Sequence, residues 1–315
     1  MPGTVNIGVS SCLLGEKVRY DGGHKHDRYI TDTLGRFFNF IPVCPEVGCG
    51  LPVPREAMRL EGNPAAPRLV TGRTRTDLTQ KMLDYCVGKV EELAGEELCG
   101  FIFKKDSPSS GLFRVKVYGS GMPVKSGRGL FAAAVVERFP YLPVEEEGRL
   151  CDMDLRENFI ERVFAYRRWK SFVTGAGGLG GLVEFHACHK LQIMAHSPDI
   201  YREMGRLVAS GKGTDPNSLM ASYLELFMKA LSLQSTVRKN CNVLHHIMGY
   251  FKKNLTPAEK QELLGIIRRY GERLIPLIVP VTMLKHYIGK YDREYLGKQT
   301  YLEPHPGELM LRNHV

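Results

Sequence analysis

Val5-Asn6-Ile7-Gly8-Val9, followed by Ser11-Cys12-Leu13-Leu14-Gly15, is a short apolar run that breaks into a small-residue loop. The same pattern occurs twice more in the first 110 residues. Phe38-Asn39-Phe40-Ile41-Pro42-Val43 leads into Val43-Cys44-Pro45-Glu46-Val47-Gly48-Cys49-Gly50. Gly100-Phe101-Ile102-Phe103 leads, after two lysines and an aspartate, into Ser107-Pro108-Ser109-Ser110-Gly111. Runs this short, bounded by turn residues, read as strands. If the strands lie parallel, all three loops emerge at one edge of one sheet. Ligands of open α/β sheets bind beyond the carboxyl ends of the strands, so Cys12, Cys44 and Cys49 become candidates for one site.

Helical periodicity alternates with these runs. Thr76 to Leu93 carries Leu78, Met82, Tyr85, Cys86 and Val90 near the 3.6 period, and a small-residue helix covers Gly129 to Arg138. Further strands are expected at Arg114 to Tyr118 and Tyr141 to Val144. The alternation predicts an α/β fold for residues 1–150, a doubly wound, mostly parallel sheet. Residues 151–180 read as a linker, with a charged helix from Asp154 to Lys170 and then Gly175-Ala176-Gly177-Gly178-Leu179-Gly180-Gly181 as a hinge. Residues 181–315 lose the strand pattern and predict a separate all-α domain of five or six helices. Ser197-Pro198 and Asp215-Pro216 each pair an N-cap with proline at the first helical position. Thr256-Pro257-Ala258-Glu259 adds a capping box.

The bulk numbers set limits. The chain has 315 residues, enough for about two domains. No apolar run reaches the ~18 residues of a membrane span, and the start shows no basic segment followed by an apolar core, so a cytoplasmic protein with no membrane partner is expected. Eight scattered cysteines in such a chain point to thiols or metal ligands rather than disulfides. The formal net charge is +9, and from Ser171 onward 18 basic residues face 12 acidic ones. That surplus suits an anionic partner, nucleic acid first. Nothing in the sequence implies a protein partner.

Thiolates gathered from separate loops are what an iron–sulfur cluster needs, often without a compact motif. Glu46, two residues after Cys44, is placed to activate water or carry a proton. Ser107, Ser109 and Ser110 offer hydroxyls. Arg19 with Tyr20 beside it, Lys25 and Arg55 are candidates to hold a phosphate or a heterocycle oxygen. Cys86, Cys99, Cys151 and Cys241 read as small buried apolar residues.

Two long motifs, Cys12-Leu13-Leu14-Gly15-x-x-Val18-Arg19-Tyr20-Asp21-Gly22 and Cys44-Pro45-Glu46-Val47-x-x-Gly50-Leu51-Pro52-x-Pro54-Arg55, resemble the thiouracil desulfidase (TudS) family. So does Lys104/Lys105-x-Ser107-Pro108-Ser109-x-Gly111. The helical half resembles YbgA-like domains through Phe185-His186-x-x-His189-Lys190, His196-Ser197-Pro198, Leu244-x-His246-Ile247-x-Gly249-Tyr250-Phe251, Pro276-Leu277-Ile278-Val279-Pro280 and Gln299-x-Tyr301-Leu302-x-Pro304-His305-Pro306. The pairing resembles the RudS type of tRNA 4-thiouridine desulfidase. The resemblance implies a [4Fe-4S] cluster held by three cysteines, whose free iron takes the sulfur of a thiocarbonyl that water then replaces. By position it makes Cys12 and Cys44 ligands, Glu46 the acidic residue beside the cluster and Ser107 a polar active-site residue. It also shows a departure, because the third ligand position is Ser110. Two readings stand. Either Cys49 has taken over as third ligand, which is the favoured one, or the site is damaged.

In the helical half, His186, His189 and Lys190 share a helix face but have no carboxylate or cysteine partner at metal-ligand spacing. Basic residues interleaved with aromatics suit phosphate contacts and base stacking. The expected RNA-binding set is Arg167, Arg168, Lys170, His186, Lys190, Lys252 and Lys253, and the expected partner is tRNA. Three functions compete: a desulfidase of 4-thiouridine in tRNA, a desulfidase of free thiouracil-type bases, and a non-catalytic RNA-binding or iron–sulfur sensor protein.

Overall fold

In the computed structural model, which describes residues 5–175 and 177–314, the three apolar runs are strands of one sheet. In chain order the first unit contains β1 (Val5–Ser10), β2 (Phe38–Val43), a single helical turn α1 (Pro45–Gly48), β3 (Met58–Asn63), β4 (Ala66–Thr71), α2 (Thr79–Ala94), β5 (Gly100–Phe103), β6 (Val115–Tyr118), β7 (Val124–Gly127), α3 (Leu130–Arg138) and β8 (Val144–Glu146). The first sheet has the order β2-β1-β5-β8 and every pairing in it is parallel. β1 runs in register with β2 from Val5 opposite Phe38 to Ser10 opposite Val43.

Burial explains the pattern. All four residues of β5 are buried, as are Val5, Ile7 and Val9 of β1, which is the continuous apolar signature of strands covered on both faces. Phe101 and Phe103 of β5 stack at 4.2 Å, and Phe131 of α3 packs edge-on against both. A fully buried phenylalanine contributes roughly 1.5–3 kcal/mol of hydrophobic stabilisation. The chain steps from β1 outward to β2 and later returns to β5 on the other side of β1. The strand order therefore reverses beside β1, and the three predicted loops lie together at that switch point, at the carboxyl ends of β1, β2 and β5.

A second sheet, order β4-β3-β6-β7, was not expected from the sequence. Its β3–β4 and β6–β7 pairs are antiparallel hairpins and β3–β6 is parallel. The expected strand from Arg114 to Tyr118 is β6 and belongs here. Its alternation of buried Val115 and Val117 with exposed Lys116 is that of a sheet with one wet face.

The chain divides between Asp152 and Met153. The second unit consists of α4 (Met153–Thr174), α5 (Leu179–His196), α6 (Pro198–Ala209), α7 (Pro216–Ser232), α8 (Val237–Gly249), α9 (Pro257–Gly271), α10 (Ile278–Lys290) and the short α11 (Glu294–Gly297). The expected linker helix is α4, and it is an integral part of this unit. Phe159, Ile160, Val163 and Trp169 are buried, α4 packs on α7, and Trp169 stacks on Tyr223 at 5.4 Å. Charged residues between those apolar ones disguised its buried face. The glycine-rich stretch thus joins two helices of one unit; its Ala176 lies outside the described residues. The Ser197, Asp215 and Thr256 caps form as expected, the last with the Glu259 capping box. Among the described residues no helix is long and apolar enough to cross a membrane.

Candidate active site

Where β1 ends, the chain turns through Ser11–Leu14 and leaves at Gly15, whose φ of 94° is open to glycine at little cost. That turn places Cys12, almost buried, beside the loop after β2, where Cys44 precedes α1. The third loop is tied to the first by the Lys104 amide donating to Ser10 Oγ at 2.9 Å. It is tied to β8 by Glu146, which accepts from the Leu112 and Phe113 amides at 2.8 and 3.1 Å. Gly129 lets the start of α3 press against this loop. A Cβ there would lie 2.4 Å from the Ser109 carbonyl.

Together the loops enclose a cavity of about 610 Å³. Cys12, Arg19, Tyr20, Lys25, Cys44, Glu46, Arg55, Ser107 and Ser110 all line it. Glu46 is the hub. Its Oε1 accepts from Ser109 Oγ at 2.5 Å and from Ser107 Oγ at 3.4 Å. Its Oε2 accepts from the Cys44 thiol at 3.4 Å and lies 3.9 Å from Arg55. The Arg55 side chain is 7 % exposed; its Nη1 donates to the Pro52 carbonyl at 3.3 Å, while its Nε has no hydrogen-bond partner and is left as a buried donor. Burial pushes the Cys12 thiol up to about 11, with Lys104 opposing and Glu46 adding. Burial, then Glu46, pushes Cys44 up to about 12.

Two site expectations are corrected here. Ser109, expected to touch substrate, is wholly buried and does not line the cavity; it stands behind Glu46 as a hydrogen-bond donor. Cys49 does not reach the cavity either. It follows α1 and lies beside α2, whose Tyr85 feels the charge of both Cys44 and Cys49. There Lys81 acts on its charge, and its thiol donates to the Glu46 carbonyl at 3.2 Å. Next to it, Gly48 lies so close to Tyr85 of α2 that a Cβ would sit 2.4 Å from the ring. The sequence also missed the Lys104–Glu147 ion pair on the cavity wall, half of which was visible in the lysine pair preceding Ser107.

These residues bear on the cluster that the sequence resemblance implies. Two soft thiols from separate loops converge on one cavity, which fits thiolate-bound iron. Three do not converge, and among the described residues no group of three or more His, Cys, Asp or Glu is placed to hold a metal ion.

Comparison with known proteins gives a consistent picture. Residues 7–147 match the model of the 2-thiouracil desulfurase family, and residues 190–306 match DUF1722, a family described as of unknown function. Over 158 residues the chain is 32% identical to the uncharacterized protein YbgA of Escherichia coli (strain K12), spanning 50% of this chain and 94% of that one. The chain belongs to the YbgA family, with a 2-thiouracil desulfurase domain in its first half. A solved structure described as the [4Fe-4S]-dependent thiouracil desulfidase TudS shares 28% identity across 47% of this chain and 95% of that one, with a TM-score of 0.39.

In the DUF1722 half, the expected RNA-binding residues separate into two kinds. Arg168 is spent on structure, with Nε on His189 Nε2 at 3.1 Å and Nη1 on the Pro304 carbonyl at 2.9 Å. His186 is half-buried against the Tyr223 hydroxyl at 3.2 Å, and burial pulls it down to about 4, so it carries no charge for a phosphate near neutral pH. Lys252 and Lys253 are exposed and adjacent. Lys190 Nζ lies 4.9 Å from the centre of the Tyr295 ring, and Tyr295 and Tyr250 are both 37% exposed. Arg167 and Lys170 are half-buried on α4.

Proposed function

We propose that the protein removes sulfur from 4-thiouridine in tRNA, giving uridine and sulfide. The observation that carries this reading is the meeting of Cys12, Cys44 and Glu46 in one cavity of a desulfurase-family domain. Cys12 and Cys44 are the thiols that would hold a [4Fe-4S] cluster. When bound, such a cluster supplies an open iron, a soft Lewis acid toward a thiocarbonyl sulfur.

The remaining work falls to the chain's own residues. Glu46, fixed from two sides, takes a proton from the water that attacks the thiocarbonyl carbon. Ser107, whose hydroxyl is within 3.4 Å of Glu46 and opens to the cavity, holds that water or the ring's exocyclic atom. Arg55 meets the developing negative charge with its unpaired Nε. Exposed Tyr20 offers a face for the base, and Arg19 and Lys25 offer cations for a phosphate. The exchange is non-redox: a carbon–sulfur double bond and water become a carbon–oxygen double bond and hydrogen sulfide.

The DUF1722 half is proposed to hold RNA. The surplus of basic residues beyond Ser171 and the exposed Lys252 and Lys253 support this. The family description favours a second reading, in which the substrate is a free thiolated base. Nucleoside mass spectrometry of tRNA incubated with the anaerobically purified protein tests both. Loss of 4-thiouridine with release of sulfide supports the tRNA reading. Turnover of free thiouracil alone replaces it with the second, and no turnover of either overturns the desulfidase.

A further inference from the structure

The cavity offers two thiols and lacks a third. Among the hydroxyls on its wall is that of Ser110. Ser110 lines the same cavity as Cys12 and Cys44 although only 3 % of it is exposed. Its backbone is held on two sides: its N–H donates to Ser107 Oγ at 3.1 Å, and Gly129 presses on its amide, where a Cβ would lie 2.7 Å away. Its Oγ, by contrast, has one weak neighbour, Ser109 Oγ at 3.4 Å, the far end of the hydrogen-bond range. Ser109 is committed elsewhere, to Glu46 at 2.5 Å. A buried hydroxyl so fixed, on the cavity wall and held by one long hydrogen bond, is an oxygen donor within the site. Cys49, the nearest remaining thiol in sequence, faces α2 instead.

We infer that Ser110 Oγ is the third protein ligand of the iron–sulfur cluster, an oxygen beside the two thiolates of Cys12 and Cys44. This rests on the cluster reading of the cavity. Ligation breaks the Ser110 O–H bond and forms an iron–oxygen bond. The proton leaves to solvent, as those of the two thiols do, and no oxidant or reductant is needed. Oxygen is a harder donor than sulfur, so the iron it holds differs electronically from the two on thiolate.

The test is iron retention and iron spectroscopy on the full chain, reconstituted anaerobically with iron and sulfide, in wild type, S110A, S110C and C49A. We expect C49A to keep its iron like wild type. S110A should lose iron to a chelator about tenfold faster or more, the scale on which a metal site loses affinity when its supporting groups are removed. S110C should restore retention. In its Mössbauer spectrum the iron not bound to thiolate should fall from about half to about a quarter of the total, because a third iron of the four gains sulfur. Near-ultraviolet circular dichroism checks that each variant folds, and S110C carries the test if S110A does not. S110A indistinguishable from wild type, an unchanged S110C spectrum, or loss of iron in C49A overturns the serine ligand. If wild type meanwhile holds a cluster and releases sulfide, the desulfidase reading survives that failure. A wild type that takes up no iron overturns both.

Discussion

Ser109→Ala removes one oxygen that never meets the solvent and never lines the active-site cavity. Its hydroxyl donates to Glu46 Oε1 at 2.5 Å, the shortest of the contacts on that carboxylate. Once Cys44 has given up its proton to bind iron, what remains to hold Glu46 is Ser107 at 3.4 Å and Arg55 at 3.9 Å, both long. A hydrogen bond to a charged acceptor is worth about 1.5–3 kcal/mol. If the carboxylate must be aimed for proton transfer, losing that support lowers kcat by roughly 10- to 150-fold at 1.4 kcal/mol per factor of ten. KM should move less than about threefold, because a residue outside the cavity adds nothing to substrate binding. Alanine is smaller than serine and creates no clash, so the stability cost is that of the lost hydrogen bond, about 1.5–3 kcal/mol. The assay is steady-state sulfide release from thiolated substrate, with the urea midpoint measured alongside. A kcat within twofold of wild type refutes the positioning role. A raised KM with unchanged kcat refutes it differently, by returning Ser109 to the substrate-binding place the sequence assigned it.

In the helical unit, Arg168→Ala should lower stability, since it leaves His189 Nε2 and the Pro304 carbonyl without that donor inside; a Tm equal to wild type would contradict that. Replacing Lys252 and Lys253 together by alanine should leave Tm nearly unchanged. The slope of log tRNA affinity against log salt should then become shallower by about 1.4–1.8, two phosphate contacts' worth, as read by filter binding; an unchanged slope removes them from the interface. Gly129→Ala should cost about 1–3 kcal/mol, because the new Cβ meets Ser109 backbone rather than a movable side chain, and full stability in denaturant would show that the loop yields. The pH profile of stability should peak near 6.5. Below it, burial holds His189 down to about 3 and His305 to about 4, so the unfolded chain binds protons that the native one refuses and stability falls with pH. Above it, His196, raised by its Glu161 partner at 3.3 Å, loses its proton and that contribution fades. Urea midpoints of the full chain from pH 4 to 9 check this, and a midpoint that rises steadily on acidification refutes it.

His189 shows how geometry fixes such a proton. Arg168 Nε donates to its Nε2, so Nε2 must accept, and Nδ1–H donates to the Phe185 carbonyl at 2.7 Å. The ring is therefore the neutral tautomer, and a second proton would face the guanidinium. In the sequence, His189 is one of three polar residues on a helix face, and nothing in the spacing separates it from a ligand or an RNA contact. Arg168 likewise reads as part of a basic and aromatic surface run, although its guanidinium sits on buried partners. The capped starts of α6, α7 and α9 were legible because a cap depends only on residues within one turn. The second sheet was not, because β3 and β4 are short, half-polar strands and the pairing of β3 with β6 spans more than fifty residues.

The sequence by itself determined what is local or spelled out in long motifs. It determined the three strand–loop units, the parallel sheet with its site at the carboxyl edge, the change to an all-α second half, and the candidacy of Cys12, Cys44 and Glu46. Tertiary structure alone decided which of the neighbouring groups face the cavity. Cys49 stands five residues after Cys44 and Ser110 more than sixty, yet Ser110 shares the cavity and Cys49 does not. Cys49 closes the helical turn α1 and lies beside α2, while the crossover to β5 brings Ser110 back beside β1. Side-chain direction after a turn depends on what the turn packs against, and distance in space depends on strand order. Neither quantity is written in the spacing of residues along the chain.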